Sequence, residues 1–228
     1  MLALQLERLS RITTADQLMV ATSDHASDDT LAEFCRANDI ACARGSLDDV
    51  LDRFYQAAVK VEADHVIRLT GDCPLADPAL IDSVVETYLK SGCDYVSNTI
   101  QPTYPDGLDV EVFSFEALKI AWQEARLPSQ REHVTPFIWQ QPERFKVANY
   151  AGDKDLSELR WTVDEPEDLE LVRMIYEELY PANPDFSTAD VLDLLQRRPE
   201  LNRINNSFER NEGLQKSLAT EAGEVSCE

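Results

Sequence analysis

Four short apolar stretches, "QLMVATS", "IACAR", "HVIRL" and "DYVSN", recur within the first hundred residues, and a segment of helical period separates each from the next. This alternation restricts the fold more than any other feature of the chain. Strands joined by helices of this length form right-handed βαβ units, hence a doubly wound, mostly parallel sheet with helices on both faces. The fold class read from the sequence is therefore α/β.

The helices carry their own start signals. Ser27, Asp28 and Asp29 open "DDTLAEFCRAND" with a cap and with acids at the positive end of the helix dipole. Ser46 is expected to cap a helix in which Leu51, Phe54, Tyr55 and Ala58 share one face, and Asp77-Pro78 opens another whose Ile81, Val84, Val85 and Tyr88 repeat the pattern. A short amphipathic helix, "MLALQLERLSR", precedes the first strand.

After Asn98 the rhythm changes. "TYPDGLDVEVFS" alternates at period two behind a Pro-Asp-Gly turn, "FEALKIAWQEA" is helical and "FKVANY" is extended, which together read as an inserted antiparallel lobe over about residues 99–150. The sheet is expected to resume at "LRWTV", followed by a helix carrying Leu169, Val172, Ile175, Tyr176 and Leu179 and a last one near "STADVLDLLQRR", capped by Ser187. Residues 1–201 thus read as a single domain, and 202–228 as a polar, aperiodic tail, loosely held or bound to a partner.

Charge then narrows the partners. The chain has 43 acidic residues against 21 basic ones, a formal net charge of −22, which repels nucleic acid and anionic membranes. An anionic substrate would need a metal ion or local arginines to draw it in. Five scattered cysteines without a Cys-x-x-Cys pair read as free thiols of a reducing compartment. With no long apolar run, and an amino terminus too short and too charged for a signal peptide, the expected location is the cytoplasm.

In an open parallel sheet, ligands bind beyond the carboxyl ends of the strands. In "RLTGDCPLADP", Gly71 frees the backbone, Asp72 follows, and Cys73-Pro74 stops the strand. Asp72 can be a turn residue or a ligand, and Asp164 ends "LRWTV" in the same way. Asp28, Asp29 and most of the Glu165–Asp168 cluster are accounted for by helix capping, and Arg44-Gly45-Ser46 alone is a weak signal. Two carboxylates at two strand ends suit magnesium or manganese, which keep several waters and bridge to substrate phosphates. The residues by themselves point to a metal-assisted reaction on a phosphate-bearing substrate.

Taken together, "VATSD", "RGSLDDVLDRFYQA", "RLTGDCPLADP", "SNTIQPTYPDGLDVEVFSFEAL", "LPSQREHVTPFI" and "LRWTVDEPEDLELVR" resemble the acylneuraminate cytidylyltransferase superfamily, which includes the CMP-Kdo synthetases. The branch resembled is that of the spore coat polysaccharide biosynthesis proteins. The resemblance implies a nucleotide-diphospho-sugar transferase-like fold and transfer of CMP from CTP to a sugar acid with release of pyrophosphate, in surface polysaccharide biosynthesis. It implies Asp72 and Asp164 as ligands of Mg2+, and Ala21, Thr22, Ser23, Arg44, Gly45 and Ser46 as the holders of cytidine. Asp106, Asp109, Glu111, Arg131, Glu132 and His133 would line the sugar side. Arg131 would clamp the sugar carboxylate with its planar fork, while His133 would assist proton transfer or serve structure, and His25 and His65 would be structural. A homodimer joined through the inserted lobe is implied as well.

The family begins with a strand and a Gly/Arg/Lys-rich phosphate loop ahead of the helix with which this sequence opens. Two expectations follow: a sheet split by two unpaired inner edges, and a chain inactive as it stands. The competing readings are a start assigned too late or a shortened chain, a non-catalytic relative serving as a subunit or binding module, and an enzyme that borrows the loop from a partner. A sugar-1-phosphate nucleotidyltransferase or a glycosyltransferase of similar fold is the enzymatic alternative, although "GDCP" lacks the Asp-x-Asp that the latter would bring.

Overall fold

A computed structural model describes residues 1–208, 210, 213 and 217–221. The chain opens with α1 (Leu2–Leu9), followed by β1 (Met19–Ser23), α2 (Asp29–Ala37), β2 (Ala41–Gly45) and α3 (Val50–Lys60). Then come β3 (His65–Arg68), α4 (Pro78–Ser91), β4 (Tyr95–Ser97) and β5 (Glu111–Ser114). The helices α5 (Phe115–Glu124), α6 (Pro128–His133) and α7 (Pro136–Trp139) precede β6 (Val147–Asn149), and α8 (Pro166–Leu179) and α9 (Thr188–Arg197) follow it.

The strands form two sheets. β1 and β2 pair in parallel, Met19 opposite Ala41, as expected of a βαβ unit. The four-stranded sheet has the order β3-β5-β4-β6 and is mixed rather than mostly parallel: β5 runs antiparallel to both β3 and β4, and β6 runs parallel to β4. The segment read as an inserted lobe thus supplies an inner strand of this sheet.

Adjacent residues of paired strands feed opposite faces. Val96 and Val112, opposite each other, join Ile81 and Val84 of α4 and Leu171 and Ile175 of α8 in one core. Tyr95 and Phe113, the next pair, join Leu118 of α5 and Phe137 and Ile138 of α7 in the other. The result is the helix–sheet–helix layering that the alternation predicts.

The expected split is present. Among the described residues β1 and β3 each pair on one side only, and a cavity of about 420 Å3 lies between Met19 and Ala21 of one and His65 to Ile67 of the other, walled by Ala57 and Ala58 of α3 and Val85 and Tyr88 of α4. "LRWTV" does not form a strand: Arg160 makes a single bridge with Asp106, and the ladder ends there. The physical reason lies in the Pro-Asp-Gly turn. Gly107, directly after the bridged Asp106, has φ +97°, outside the extended region, so the partner segment turns away after one bridge, and a Cβ there would fall 2.4 Å from the Thr162 nitrogen.

Local capping differs in two places: Asp28 stands at the start of α2 but makes no side-chain cap bond, because its carboxylate accepts from Thr22 and Ser23. Asp49, not Ser46, caps α3 by accepting from the Asp52 N–H at 2.9 Å, and the Ser46 hydroxyl accepts from the Asp49 N–H at 3.0 Å. Asp77 caps α4 as read, accepting from the Ala79 N–H at 2.9 Å, and Gly92 closes that helix in the left-handed region. Cys35, Cys42, Cys73 and Cys93 are free thiols, while Cys227 lies outside the described residues.

The described part of the C-terminal segment is packed. Asn205 is buried and donates to Asp168 at 2.7 Å, and Glu221 accepts from the Ser129 N–H at 2.6 Å. Its polar side chains find partners on the domain, a gain that periodicity does not register. No helix among the described residues is long and apolar enough to cross a membrane.

Candidate active site

The loop Thr70 to Ala76, which opens the site, is held by three side chains from α1 and α8. Gln5 of α1 is buried and donates to the Thr70 carbonyl at 2.7 Å and to the Cys73 carbonyl at 3.0 Å. Arg8 donates to the Ala76 carbonyl at 2.9 Å with its guanidinium 4.3 Å from the Phe186 ring, and the Tyr176 hydroxyl donates to the Pro74 carbonyl at 2.7 Å. The Thr70 and Cys73 carbonyls also accept from the Cys73 and Ala76 N–H groups within the loop, so turn and side-chain bonds together fix it. The amphipathic helix that opens the chain therefore positions Asp72.

Asp164 reaches the same place through the backbone. The Val163 N–H donates to the Asp72 carbonyl at 2.8 Å, so the next residue stands beside the Asp72 loop. The Gly107 turn brings in a third segment: the Trp161 N–H donates to the Asp106 carbonyl at 2.6 Å, and the Asp106 N–H to the Leu159 carbonyl at 2.8 Å. A cavity of about 440 Å3 opens where these segments meet, and Asp72, Asp106, Asp109, Glu111, His133 and Asp164 all line it.

Three guanidiniums balance this acidity. Arg68, inside β3, pairs with Glu111, which also accepts from the Tyr95 hydroxyl at 2.7 Å and from the Thr135 hydroxyl. Arg160 bonds Asp164 and Asp168 at 2.8 Å each and Asp106 at 3.3 Å. Arg210 pairs with Asp109 and donates to the Tyr104 carbonyl at 2.9 Å. Buried charge must be paired, and each of these carboxylates has a partner.

The environments set the protonation. Burial pushes Asp106 up against the opposing pull of Arg210 and Arg160. Burial drives Asp109 up to about 7, Arg210 opposing it and Asp106, Glu111 and Asp72 adding to it. Asp168 behaves in the opposite sense: burial would raise it, but bonds from Arg160, Asn205 and two backbone N–H groups hold it below the usual carboxylate range. Asp168 caps α8 and anchors Arg160, as the capping reading of this cluster implied.

His133 and Thr135 face the cavity across a strained turn. Val134 has φ 72° and ψ −56°, and the Thr135 N–H donates to the His133 carbonyl at 2.8 Å, which defines a γ-turn on a β-branched residue. Burial lowers the His133 pKa, and its Nε2 lies 3.2 Å from the Ser217 hydroxyl.

The other expected site residues lie elsewhere. Arg131 is not in the cavity: it pairs with Asp49 and donates to the Trp122 carbonyl at 2.8 Å, because the turn of α6 that carries it packs on α3. Glu132 sits beside Ser217 at 3.0 Å and does not line the cavity. At the carboxyl ends of β1 and β2, Thr22 and Ser23 turn their hydroxyls to Asp28 at 2.6 and 2.7 Å and hold it well below the carboxylate range. Arg44 donates to the Ser23 carbonyl at 2.8 Å and pairs with Asp29, Ser46 gives its carbonyl to Arg53, and the side chain of Arg53 lies 3.4 Å from where a Cβ of Gly45 would be. Ala21 lines the cavity between the two sheets instead.

Sequence reasoning missed Arg68, Arg160 and Arg210. The first two had a signal, since an arginine inside an apolar run must find a buried acid. Arg210 lay in a segment without periodicity and had none.

The sequence model of the cytidylyltransferase family matches residues 1–197. An uncharacterized protein of Methanocaldococcus jannaschii is 38% identical over 210 residues, covering 90% of this chain and 84% of its own. The spore coat polysaccharide biosynthesis protein SpsF of Bacillus subtilis is 33% identical over 188 residues, covering 81% of this chain and 77% of its own. Among solved structures, a cytidylyltransferase from Leptospira borgpetersenii superposes with a TM-score of 0.83 at 31% identity, covering 88% of this chain and 84% of its own. The match runs through the loops that carry Asp72, Asp106, Asp109 and Asp164, and the chain belongs to the cytidylyltransferase family.

Proposed function

We propose that this protein transfers CMP from CTP to a hydroxyl of a sugar acid, releasing pyrophosphate, as a step in building a surface polysaccharide. The observation that carries the reading is the convergence of Asp72 and Asp164 on one cavity at the end of β3. The name of the Bacillus subtilis relative supports the polysaccharide context. A cytoplasmic homodimer belongs to the same reading and rests on the family resemblance.

The residues fit a magnesium ion, or manganese in its place. Among the described residues no group of three or more His, Cys, Asp or Glu side chains could hold a metal by itself. Mg2+ does not require one, since one or two carboxylates, waters and substrate phosphates complete its octahedron. Asp72 and Asp164 would be those carboxylates, and the ion would offset charge gathering on the phosphates.

The protein's part is position. The acceptor oxygen bonds to the α-phosphorus as the bond to the β-phosphate breaks in line, and pyrophosphate leaves with the electron pair. Asp72 is fixed by the Gln5 and Tyr176 bonds to its loop, which limits its excursion from the cleft. Thr22, Ser23, Arg44 and Gly45, at the ends of β1 and β2, would hold the cytidine.

A panel of CTP, UTP, ATP and GTP with magnesium and several sugar acids, read by pyrophosphate release, tests this. Release from CTP alone is the result this reading expects, and no release from any of the four would instead support the expectation of a chain inactive as it stands. Equal use of UTP, or a requirement for a sugar 1-phosphate, would replace this reading with the sugar-1-phosphate class.

A further inference from the structure

We propose that Asp109 accepts the proton of the attacking hydroxyl and that Arg210, reaching the cleft from the C-terminal segment, positions it. The inference rests on the transfer reaction proposed above. When the hydroxyl oxygen bonds to the α-phosphorus its O–H bond breaks, and the proton needs an acceptor within the cleft.

The cleft offers few. Glu111 is occupied by Arg68, Tyr95 and Thr135, and Asp106 lies between Arg160 and Arg210 with 9% of its side chain open. His133 turns its Nε2 to Ser217. Asp72 and Asp164 are assigned to the metal. Asp109 remains: it lines the cavity, a quarter of its side chain is open, and among the described residues only its Oδ1 is engaged, by Arg210.

Arg210 fixes that geometry. One terminal nitrogen donates to the Tyr104 carbonyl and the other holds Oδ1, so Oδ2 is the oxygen left for a substrate hydroxyl. The charged and titratable groups facing Asp109 are Arg210 on one side and Asp106, Glu111, Asp72 and Cys73 on the others. Burial and the acids raise its pKa, Arg210 opposes them, and the balance of about 7 suits a base working near neutrality. In the balanced step the proton passes to Oδ2, the O–P bond forms, the bond to the β-phosphate breaks with its electron pair on pyrophosphate, and Asp109 later returns the proton to water. Arg210 lies beyond residues 1–197, where the family match ends.

The test uses the full chain, magnesium, CTP and Kdo as acceptor probe. Asp109→Asn should lose about a hundredfold or more in kcat while keeping the wild-type thermal shift on adding magnesium and CTP. Arg210→Met should move the acidic limb of the pH–rate profile to higher pH, since the lost guanidinium had favoured the ionised carboxylate, and Arg210→Lys should move it back toward wild type. A carbon-13 titration of the Asp109 carboxyl reads the same group without turnover, and a midpoint near 7 is the expected value. A midpoint in the ordinary range near 4, an Asp109→Asn rate close to wild type, or an Arg210→Met profile lowered without displacement overturns the assignment. A wild-type chain that neither shifts with CTP nor releases pyrophosphate from it overturns the transfer reading and this inference with it. Wild-type turnover that is flat across neutral pH overturns the base assignment alone.

Discussion

Replacing Arg68 by methionine tests whether the floor of the cleft is held by charge. The guanidinium pairs with Glu111, and the two side chains are 17% and 8% exposed. Methionine keeps the aliphatic packing near Phe54 but leaves Glu111 buried with two hydroxyl donors, Tyr95 and Thr135, and no countercharge. Removing one partner of a buried pair costs about 3–5 kcal/mol. The two remaining hydroxyl bonds put this case at the lower end, about 3 kcal/mol. For a chain of this size the melting midpoint should fall by about 6–12 °C, at about 2–4 °C per kcal/mol. Adding Glu111→Gln removes the stranded charge yet retains a carbonyl acceptor, so the double variant should recover about 1–2 kcal/mol relative to the sum of the single changes. Urea unfolding followed by the fluorescence of buried Trp161, with the slope unchanged, measures all four corners of the cycle. An Arg68→Met loss under about 1 kcal/mol, or strictly additive single changes, would refute the reasoning.

Other outcomes follow from the same contacts. Gly107→Ala forces a side chain into φ +97° and a Cβ to 2.4 Å from the Thr162 nitrogen, so it should lower the melting midpoint and separate Asp106 and Asp109 from Asp164, abolishing turnover. Ile175→Ala, deep in the α4–α8 core, should cost about 2–5 kcal/mol in urea without altering nucleotide preference. Asp168 has a depressed pKa in the folded state, so its contribution is present above the unfolded value of 3.8 and is lost as pH falls through the folded one. Asp168→Asn should therefore be less stable than wild type at neutral pH, and the gap should narrow in acid-unfolding curves.

The legible parts of the fold were those written locally. Asp77-Pro78 marks the start of α4, and Ile81, Val84 and Val85 announce its buried face. Gly71, Asp72 and Pro74 mark the stop after β3 in the sequence, and Asp164 was read in the same way although "LRWTV" makes a single bridge. Pairing between distant strands left no local trace, so β5 was read as part of a lobe, whereas it lies between β3 and β4. "LRWTV" has strand composition, yet the turn at Gly107 limits it to one bridge. Arg131 matched a sugar-side motif, but Asp49, 82 residues away in sequence, engages its guanidinium. Arg210 could not be found from pattern, because its partners Tyr104 and Asp109 are a hundred residues distant.

The most direct measurement of the central claim is pyrophosphate release from CTP by wild type and Asp72→Asn, with their melting curves recorded together. Asp72 gives its backbone carbonyl, not its carboxylate, to Val163, so the substitution leaves that bond in place. The account predicts an unchanged melting midpoint and a rate lower by about a hundredfold or more. Full activity of Asp72→Asn would contradict it, because the cleft at the end of β3 would then not be where the triphosphate is held.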